Sequence, residues 1–467
     1  MKNFVFVLAL FLGACSVGTS SPTISPTGWT WMGGSNFTGA NGVYGTQGVA
    51  SPGNIPGARF IAISWVDQTN NFWIFGGSGN AATGASGNLN DLWKYNLATN
   101  QWSWISGSNT INSAGIYGTI QVAAAGNMPG GRFGGVSWLD LNGNLWLFGG
   151  FGNDGSGTVG ALNDLWMYNP NTNLWTWMNG AKIVKAPGIY GVQGVANNLN
   201  TPGARLGSVS WVDSSGNLWL FGGADDIITT NVFNDLWMYN PNTNQWTWAS
   251  GSNTVNNLGV YGTQGIARAF NVPGSRLDSV SWRDNSGNLL LFGGSGIDGS
   301  NFRGDLNDIW QYNIASGLWT WKSGSNMSNQ YGSYMTQGIA SANSIPGSRE
   351  HRTPISRTNN NGQLWMFGGD GYGTSTIGLL NDLWSYNSST NRWTWIGGST
   401  QNGAFSTYGS VGITASGNTP GARKDGVGFV DTSGNLWIFG GNGNGASGVS
   451  GNLNDLWRYN TPLGPGS

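Results

Sequence analysis

The stretch NDLWMYNPNTNQWTW at residues 234–248 decides the fold of this chain. Two short runs rich in apolar and aromatic residues, 236–239 and 245–249, flank the turn residues Asn-Pro-Asn-Thr-Asn, which is typical of a β-hairpin. The apolar run LWLF at 218–221 ends in Gly-Gly just upstream, and RLGSVSWV at 205–212 precedes that run. The unit therefore predicts four short antiparallel strands.

The same unit recurs along nearly the whole chain. Its aspartate falls every 71 to 74 residues, at Asp91, Asp164, Asp235, Asp308, Asp382 and Asp455. Units of four antiparallel strands repeated around an axis are the blades of a β-propeller. We therefore predict an all-β propeller with six four-stranded blades.

The chain ends predict how the ring closes. Trp29 and Trp31 form a Trp-x-Trp before the first blade, whereas the last blade ends at Tyr459-Asn460 with no Trp-x-Trp after it. We expect the N-terminal strand to join the last blade as its fourth strand, because closure removes free sheet edges.

Three recurring elements resemble the kelch repeat family: Gly-Gly after the second strand, an aromatic pair on the third, and a Trp opening the fourth. The resemblance covers all six repeats and implies a propeller like the central domain of galactose oxidase. Copper oxidases of that kind use two His, a Tyr and a Cys–Tyr cross-link, whereas this chain has one His and one Cys. We therefore expect no copper, no other metal and no cofactor.

The repeats are longer than kelch repeats of about 50 residues. The additional residues lie between the fourth strand of one blade and the first strand of the next, and their spacing to a fixed Tyr and a fixed Pro is constant in all six copies. We predict an ordered segment, here called the excursion, packed against a blade. A repeat Arg, such as Arg205, matches the repeat Asp in number, so we predict structural Arg–Asp pairs.

Composition narrows the function classes. Charged residues make up 8% of the chain, the net charge is −1, and no basic run occurs. Nucleic-acid binding therefore has no electrostatic basis here. We expect a monomer that binds a protein or carbohydrate ligand.

The first residues read as an export signal. Lys2 precedes an apolar run, and Leu12-Gly13-Ala14-Cys15 resembles the bacterial lipobox, in which the Cys is lipidated. We predict a signal peptide at 1–14, lipidation of Cys15, a flexible tether at 15–27 and the propeller at 28–467. This places the protein on the bacterial cell envelope, at the outer membrane, facing either the periplasm or the outside. A plain secretory signal is the alternative.

Blade 5 departs from the repeat. Its first strand carries two additional residues, and it holds the only Glu and the only His of the chain, Glu350 and His351, followed by Arg352. The second position after the repeat Arg is also polar only in blades 4 to 6, which predicts a ligand site at the channel mouth on the face that carries the loops. The alternative is a set of solvated polar residues around a wet channel. The candidate ligand-binding residues are Asp278, Tyr331, Glu350, His351, Arg352, Asp370, Tyr372 and Asp425.

Two functions remain open at this point. The favoured one is a binding or scaffold protein on the envelope, for protein or glycan ligands. The alternative comes from the resemblance, because some six-bladed kelch proteins of the periplasm are sialic-acid mutarotases. Glu350 or His351 would then transfer a proton, and Arg352 would bind the sugar carboxylate. The sequence assigns no catalytic residue.

Overall fold

The computed structural model describes residues 27–228, 231–350 and 363–461. These residues form six antiparallel blades around a central channel, as the repeat predicts. They contain no helix, and so none that is long and apolar enough to cross a membrane. Within blades 1 to 5 the strands follow one another outward from the channel in chain order.

The first half of the ring consists of blades 1 to 3. A separate N-terminal strand, β1 (Gly28–Gly33), comes before them. Blade 1 contains β2 (Arg59–Phe60), β3 (Ile63–Val66), β4 (Phe72–Asn80), β5 (Ser86–Asn96) and β6 (Gln101–Ser106). Blade 2 contains β7 (Arg132–Phe133), β8 (Val136–Leu139), β9 (Leu145–Asn153), β10 (Val159–Asn169) and β11 (Leu174–Asn179). Blade 3 contains β12 (Val209–Val212), β13 (Leu218–Phe221), β14 (Leu236–Asn240) and β15 (Gln245–Ser250).

The second half consists of blades 4 to 6. Blade 4 contains β16 (Arg276–Leu277), β17 (Val280–Arg283), β18 (Leu289–Ile297), β19 (Arg303–Asn313) and β20 (Leu318–Ser323). Blade 5 contains β21 (Arg349–Glu350), β22 (Gln363–Tyr372), β23 (Ile377–Asn387) and β24 (Arg392–Gly397). Blade 6 contains β25 (Arg423–Lys424), β26 (Val427–Val430), β27 (Leu436–Asn444) and β28 (Ser450–Asn460).

The N-terminal strand closes the ring. Strand β1 pairs antiparallel with β28, and places Trp29 opposite Tyr459 and Trp31 opposite Trp457. The predicted closure is confirmed: the first strand of the chain is the outermost strand of blade 6.

The innermost strand differs from its prediction. Residues 205–212 were expected to form one continuous strand, but β12 begins only at Val209. Gly207 has a left-handed φ of 69° and donates its N–H to the carbonyl oxygen of Gly134 in blade 2, at 2.9 Å. The chain therefore leaves the sheet of its own blade for two residues, Gly207 and Ser208, and bonds to the neighbouring blade there.

The core lies between neighbouring blades. Trp73 and Phe75 of blade 1 are buried against Trp166 and Trp175 of blade 2, and the same arrangement recurs around the ring. The rings of Phe75 and Trp175 meet edge to face with their centroids 5.4 Å apart. Large aromatic side chains thus supply the buried area that fixes each blade on the next.

The excursions protect the outer edges of the blades. The excursion before blade 1 runs along β6, where the N–H groups of Gly48 and Ser51 donate to the carbonyl oxygens of Trp104 and Trp102. The side-chain amide of Asn54 also donates to the Trp102 oxygen, at 3.2 Å. The predicted ordered segment is therefore an edge cover for the blade that follows it.

A buried ion pair fixes each excursion to its blade. In blade 3, Arg205 donates from Nη1 and Nη2 to the two carboxylate oxygens of Asp235, at 2.7 and 2.8 Å. The hydroxyl of Tyr190, in the excursion, and the indole N–H of Trp237 both donate to Asp235 Oδ2. Burial, with Asp235 next to it, raises the pKa of Tyr190 above its ordinary value, so Tyr190 remains a neutral donor. The predicted pairs are confirmed, and the others are Arg59–Asp91, Arg132–Asp164, Arg276–Asp308, Arg349–Asp382 and Arg423–Asp455.

Candidate functional site

A belt of backbone hydrogen bonds surrounds one mouth of the channel. The residues that form this belt are the second ones after each repeat Arg. Every described member has a left-handed φ between 50° and 69°. The N–H groups of Ile61, Gly134, Gly207 and Asp278 each donate to the carbonyl oxygen of the belt residue in the preceding blade, over 2.8 to 3.1 Å. The described members are Ile61, Gly134, Gly207, Asp278 and Asp425.

The belt places two of the predicted site residues at this mouth. Asp278 of blade 4 is 9% exposed, and Asp425 of blade 6 is 3% exposed and lines the channel. The position between them in sequence order belongs to His351 of blade 5. His351 and Arg352 lie outside the described residues, so the structure does not test their part in the predicted site.

A charged sector lies beside the belt, where blade 5 meets blade 6. Glu350 and Asp370 are direct partners on neighbouring strands β21 and β22. Lys424 of blade 6 donates from Nζ to Asp370 Oδ2, at 2.9 Å across the blade boundary. Burial opposes the charge of Lys424, but the Asp370 carboxylate, with Asp425 and Glu350 farther away, outweighs it and raises the pKa of Lys424 above its ordinary value. The structure thus brings together three predicted acids around one cation.

Lys424 was not among the predicted residues, although the sequence carries a signal for it. It stands directly after the repeat Arg, a position that is apolar in blades 1 to 4 and charged in blades 5 and 6. The predicted site residues included the second position after the Arg but not this first one in blade 6. The residues at this first position are Phe60, Phe133, Leu206, Leu277, Glu350 and Lys424.

The two predicted tyrosines of blade 5 are in contact with each other. The rings of Tyr331 and Tyr372 meet edge to face at 5.3 Å, and Tyr331 is 51% exposed. Tyr372 stands two residues after Asp370 on β22, so both side chains lie on the same face of that strand. Burial, with the Asp305 carboxylate nearby, raises the pKa of Tyr372. The tyrosine pair therefore continues the charged sector outward.

The opposite side of the mouth, on blades 2 and 3, is apolar. Phe133 and Phe151 pack with ring centroids 5.6 Å apart, against a buried cluster that contains Leu206 and Val232. The neighbouring loop of blade 3 exposes Ile228, which is 80% accessible. A ligand at this mouth would meet aromatic carbon on one side and charged groups on the other.

The channel itself is large enough for a small ligand. It encloses a cavity of about 620 Å³, within the range of ordinary ligand sites. Its described wall comes from blades 1 to 4 and 6 and carries one serine per blade at mid-depth in blades 1 to 4: Ser64, Ser137, Ser210 and Ser281. Each hydroxyl after the first donates to the carbonyl oxygen of the preceding serine, over 2.8 to 3.1 Å.

The described residues do not form a recognisable metal centre. Within residues 27–228, 231–350 and 363–461, no three His, Cys, Asp or Glu side chains are grouped so as to hold a metal ion. Because His351 lies outside these ranges, the absence of a metal remains a prediction.

Known proteins resemble this chain in sequence over only part of its length. No protein-family model matches the chain. A stretch of 190 residues is 27% identical to N-acetylneuraminate epimerases from Escherichia coli O139:H28 (strain E24377A / ETEC), Escherichia coli (strain K12) and Shigella boydii serotype 4 (strain Sb227). The match covers 35% of this chain and 48% of each relative, so the chain spans about half the length of the curated relatives it matches.

Proposed function

We propose that this chain is a kelch-type propeller that binds a sugar at the channel mouth, next to blades 5 and 6. The observation that carries the proposal is the Lys424–Asp370 pair, with Glu350 and Asp425 nearby, beside a cavity of about 620 Å³. Blades 1 to 4 fold with an apolar residue at the position that Glu350 and Lys424 occupy in blades 5 and 6. Charged groups that depart from a working repeat therefore point to a function rather than to folding.

The chemistry of the mouth suits a sugar, whose ring carries polar hydroxyl groups at its edge and apolar C–H groups on its faces. Carboxylates accept hydrogen bonds from sugar hydroxyls, and the Lys424 ammonium donates to their oxygens, which gives charge-assisted bonds. The rings of Phe133, Phe151 and Tyr372 offer flat apolar surface on which the C–H face of a sugar can pack.

A second candidate, anomer exchange of an acidic sugar, is favoured by the names of the relatives. That reaction needs one group that donates a proton and one that accepts it. Glu350 at the mouth is one candidate, and the sequence adds His351 for proton transfer and Arg352 for the sugar carboxylate. The support is partial, since the likeness covers about a third of this chain.

Binding is tested with the double variant Glu350→Gln/Lys424→Gln. The purified chain is screened against neutral and acidic mono- and oligosaccharides, and hits are measured by titration calorimetry. We expect the dissociation constant to rise roughly tenfold to a hundredfold, because glutamine replaces a hydrogen bond to a charged group by a neutral one and so loses about 1 kcal/mol at each of the two positions. The melting temperature should stay nearly unchanged, because these positions tolerate other residues in other blades.

Arg392→Gln provides the control. It removes an exposed cation at the start of β24, the outermost strand of blade 5, and should leave binding unchanged. The same samples are followed by NMR for exchange between the anomers of N-acetylneuraminate. Exchange faster than in buffer supports the second candidate, and buffer-rate exchange rejects it. A screen without any sugar ligand, or a double variant that binds like the parent, would contradict the binding site.

We also propose that Cys15 is lipidated and tethers the propeller to an envelope membrane. Residue 15 and the tether lie outside the described residues, so the support is the Leu-Gly-Ala-Cys pattern at 12–15. Cys15→Ser should move the protein from the membrane fraction to the soluble fraction, because bacterial lipoproteins are held by more than one acyl chain. Membrane association that persists in this variant would refute the anchor.

A further inference from the structure

Arg283 is a cation on the wall of the channel, at the end away from the charged sector. It is the last residue of β17 and lines the cavity together with Ser281, two residues earlier on the same strand face. The equivalent residue is apolar in every other blade where the structure describes it: Val66, Leu139, Val212 and Val430. Blade 4 therefore departs from the repeat at this one position.

Few N–H donors of the Arg283 guanidinium bond to acceptors of the protein. Its Nη1 donates to the carbonyl oxygen of Val212 at 2.5 Å, and among the described residues it forms no ion pair. An arginine carries five N–H donors in a planar fork. Most of these donors therefore remain available at the wall of a ligand-sized cavity.

The acid that follows Arg283 in the sequence is already engaged. Asp284 accepts the N–H groups of Ser286 and Asn288 on Oδ1, and the side-chain amides of Asn288 and Gln311 on Oδ2. The equivalent acids in the other described turns at this end accept two or more turn N–H groups and a tryptophan indole N–H of their own blade. They are Asp67, Asp140, Asp213 and Asp431. These carboxylates make the electrostatic potential at this end more negative. Their hydrogen bonds lie within their own blades, and none of them forms an ion pair with Arg283.

We propose that Arg283 binds the carboxylate of an acidic sugar at this end of the channel. The inference rests on the proposed sugar-binding function and names its substrate class. A guanidinium fork matches a carboxylate in a bidentate pair. The serine hydroxyls one layer away, Ser210 and Ser281, keep lone pairs that accept hydrogen bonds from ring hydroxyls.

The position of the available cation favours this orientation. Asp278 at the mouth and Arg283 are five residues apart on the inner wall, roughly 15 Å at the rise of a strand. Carboxylates stand at both ends of the channel, but Lys424 at the mouth is already paired with Asp370, whereas Arg283 is the cation among the described residues that line the cavity. A ligand carboxylate therefore lies at Arg283, and the rest of the sugar extends from it toward the mouth.

The test compares acidic sugars with their neutral esters. Glucuronate, galacturonate and N-acetylneuraminate are titrated into the purified chain, each beside its methyl ester. We expect at least one acid to bind roughly tenfold to a hundredfold more tightly than its ester, since hydrogen bonds between charged partners are worth about 1.5–3 kcal/mol. Arg283→Val, which installs the residue that blades 1, 3 and 6 use here, should abolish this preference while the melting temperature stays close to that of the parent.

Arg283→Lys and Arg283→Gln separate charge from structure. The lysine variant should keep part of the preference for the acid, whereas the glutamine variant retains a donor for the Val212 oxygen and should lose the preference. Neutral sugars and esters that bind as tightly as the acids would overturn the Arg283 assignment while leaving sugar binding intact. Failure of every sugar and ester to bind would instead overturn both proposals.

Discussion

Replacement of Asp235 by Asn is expected to lower the free energy of unfolding by about 3–5 kcal/mol, because it leaves the Arg205 charge buried without a counter-charge. Both side chains are 0% exposed, so water cannot take over the role of the carboxylate. Asp235 also accepts hydrogen bonds from Tyr190 and Trp237, and an amide nitrogen at the same place would face donors. Urea denaturation followed by tryptophan fluorescence measures the change.

Tyr190→Phe is the matched control for this prediction. It removes one donor to the same carboxylate oxygen and preserves the ion pair, so we expect a loss of about 1–2 kcal/mol. Similar losses in the two variants would mean that the ion pair contributes little beyond an ordinary hydrogen bond, contrary to its burial.

The fold was predictable because every framework residue serves a local purpose that recurs. The Gly-Gly, the Asp and the Trp-x-Trp each occupy a position that all six blades need, so one sequence contains six examples of the same constraint. The pairing of Asp235 with an arginine was predictable, because each repeat contains one framework Arg and one framework Asp. The role of Tyr190 was missed, because its spacing indicates order but does not reveal which buried group its hydroxyl meets.

The site was predictable only where it breaks the repeat. Asp278, Glu350 and Asp425 stand out in an alignment of the six blades, and the structure places them around the same mouth. Lys424 and Arg283 break the repeat as well, but neither was among the predicted site residues. That Lys424 pairs with Asp370 depends on the angle between blades 5 and 6, which no spacing within one blade specifies.

The interruption of the inner strand is hidden at Ile61, although the Gly and Asp residues at the same position of other blades are types that accept a left-handed φ. Ile61 is a β-branched residue with a φ of 50°, a conformation that such residues rarely adopt. Sequence reasoning assigns that position to an ordinary strand. The hydrogen bond from Ile61 to the Asp425 oxygen of the neighbouring blade, at 2.8 Å, explains the observed conformation. Contacts between blades thus override the local preference of the residue.

Removal of residues 28–33 is expected to lower the free energy of unfolding by at least about 5 kcal/mol, since it deletes the outermost strand of blade 6 and two core tryptophans. Trp29 is 7% exposed and packs on Tyr459 of blade 6 and on Phe367 of blade 5, with ring centroids 5.1 and 5.3 Å apart. Its loss therefore opens the core between two blades and leaves β28 as a free edge.

The control for this deletion is a chain that begins at Gly28, which keeps every described strand and should unfold like the parent. A synthetic peptide of residues 28–33, added to the chain that lacks them, should restore much of the lost stability by pairing with β28 as a donated strand. A peptide with alanine at Trp29 and Trp31 should restore far less, because backbone pairing alone does not refill the core. If the shortened chain unfolds at the same urea concentration as its control, β1 contributes nothing to closure and the ring is held by its other contacts.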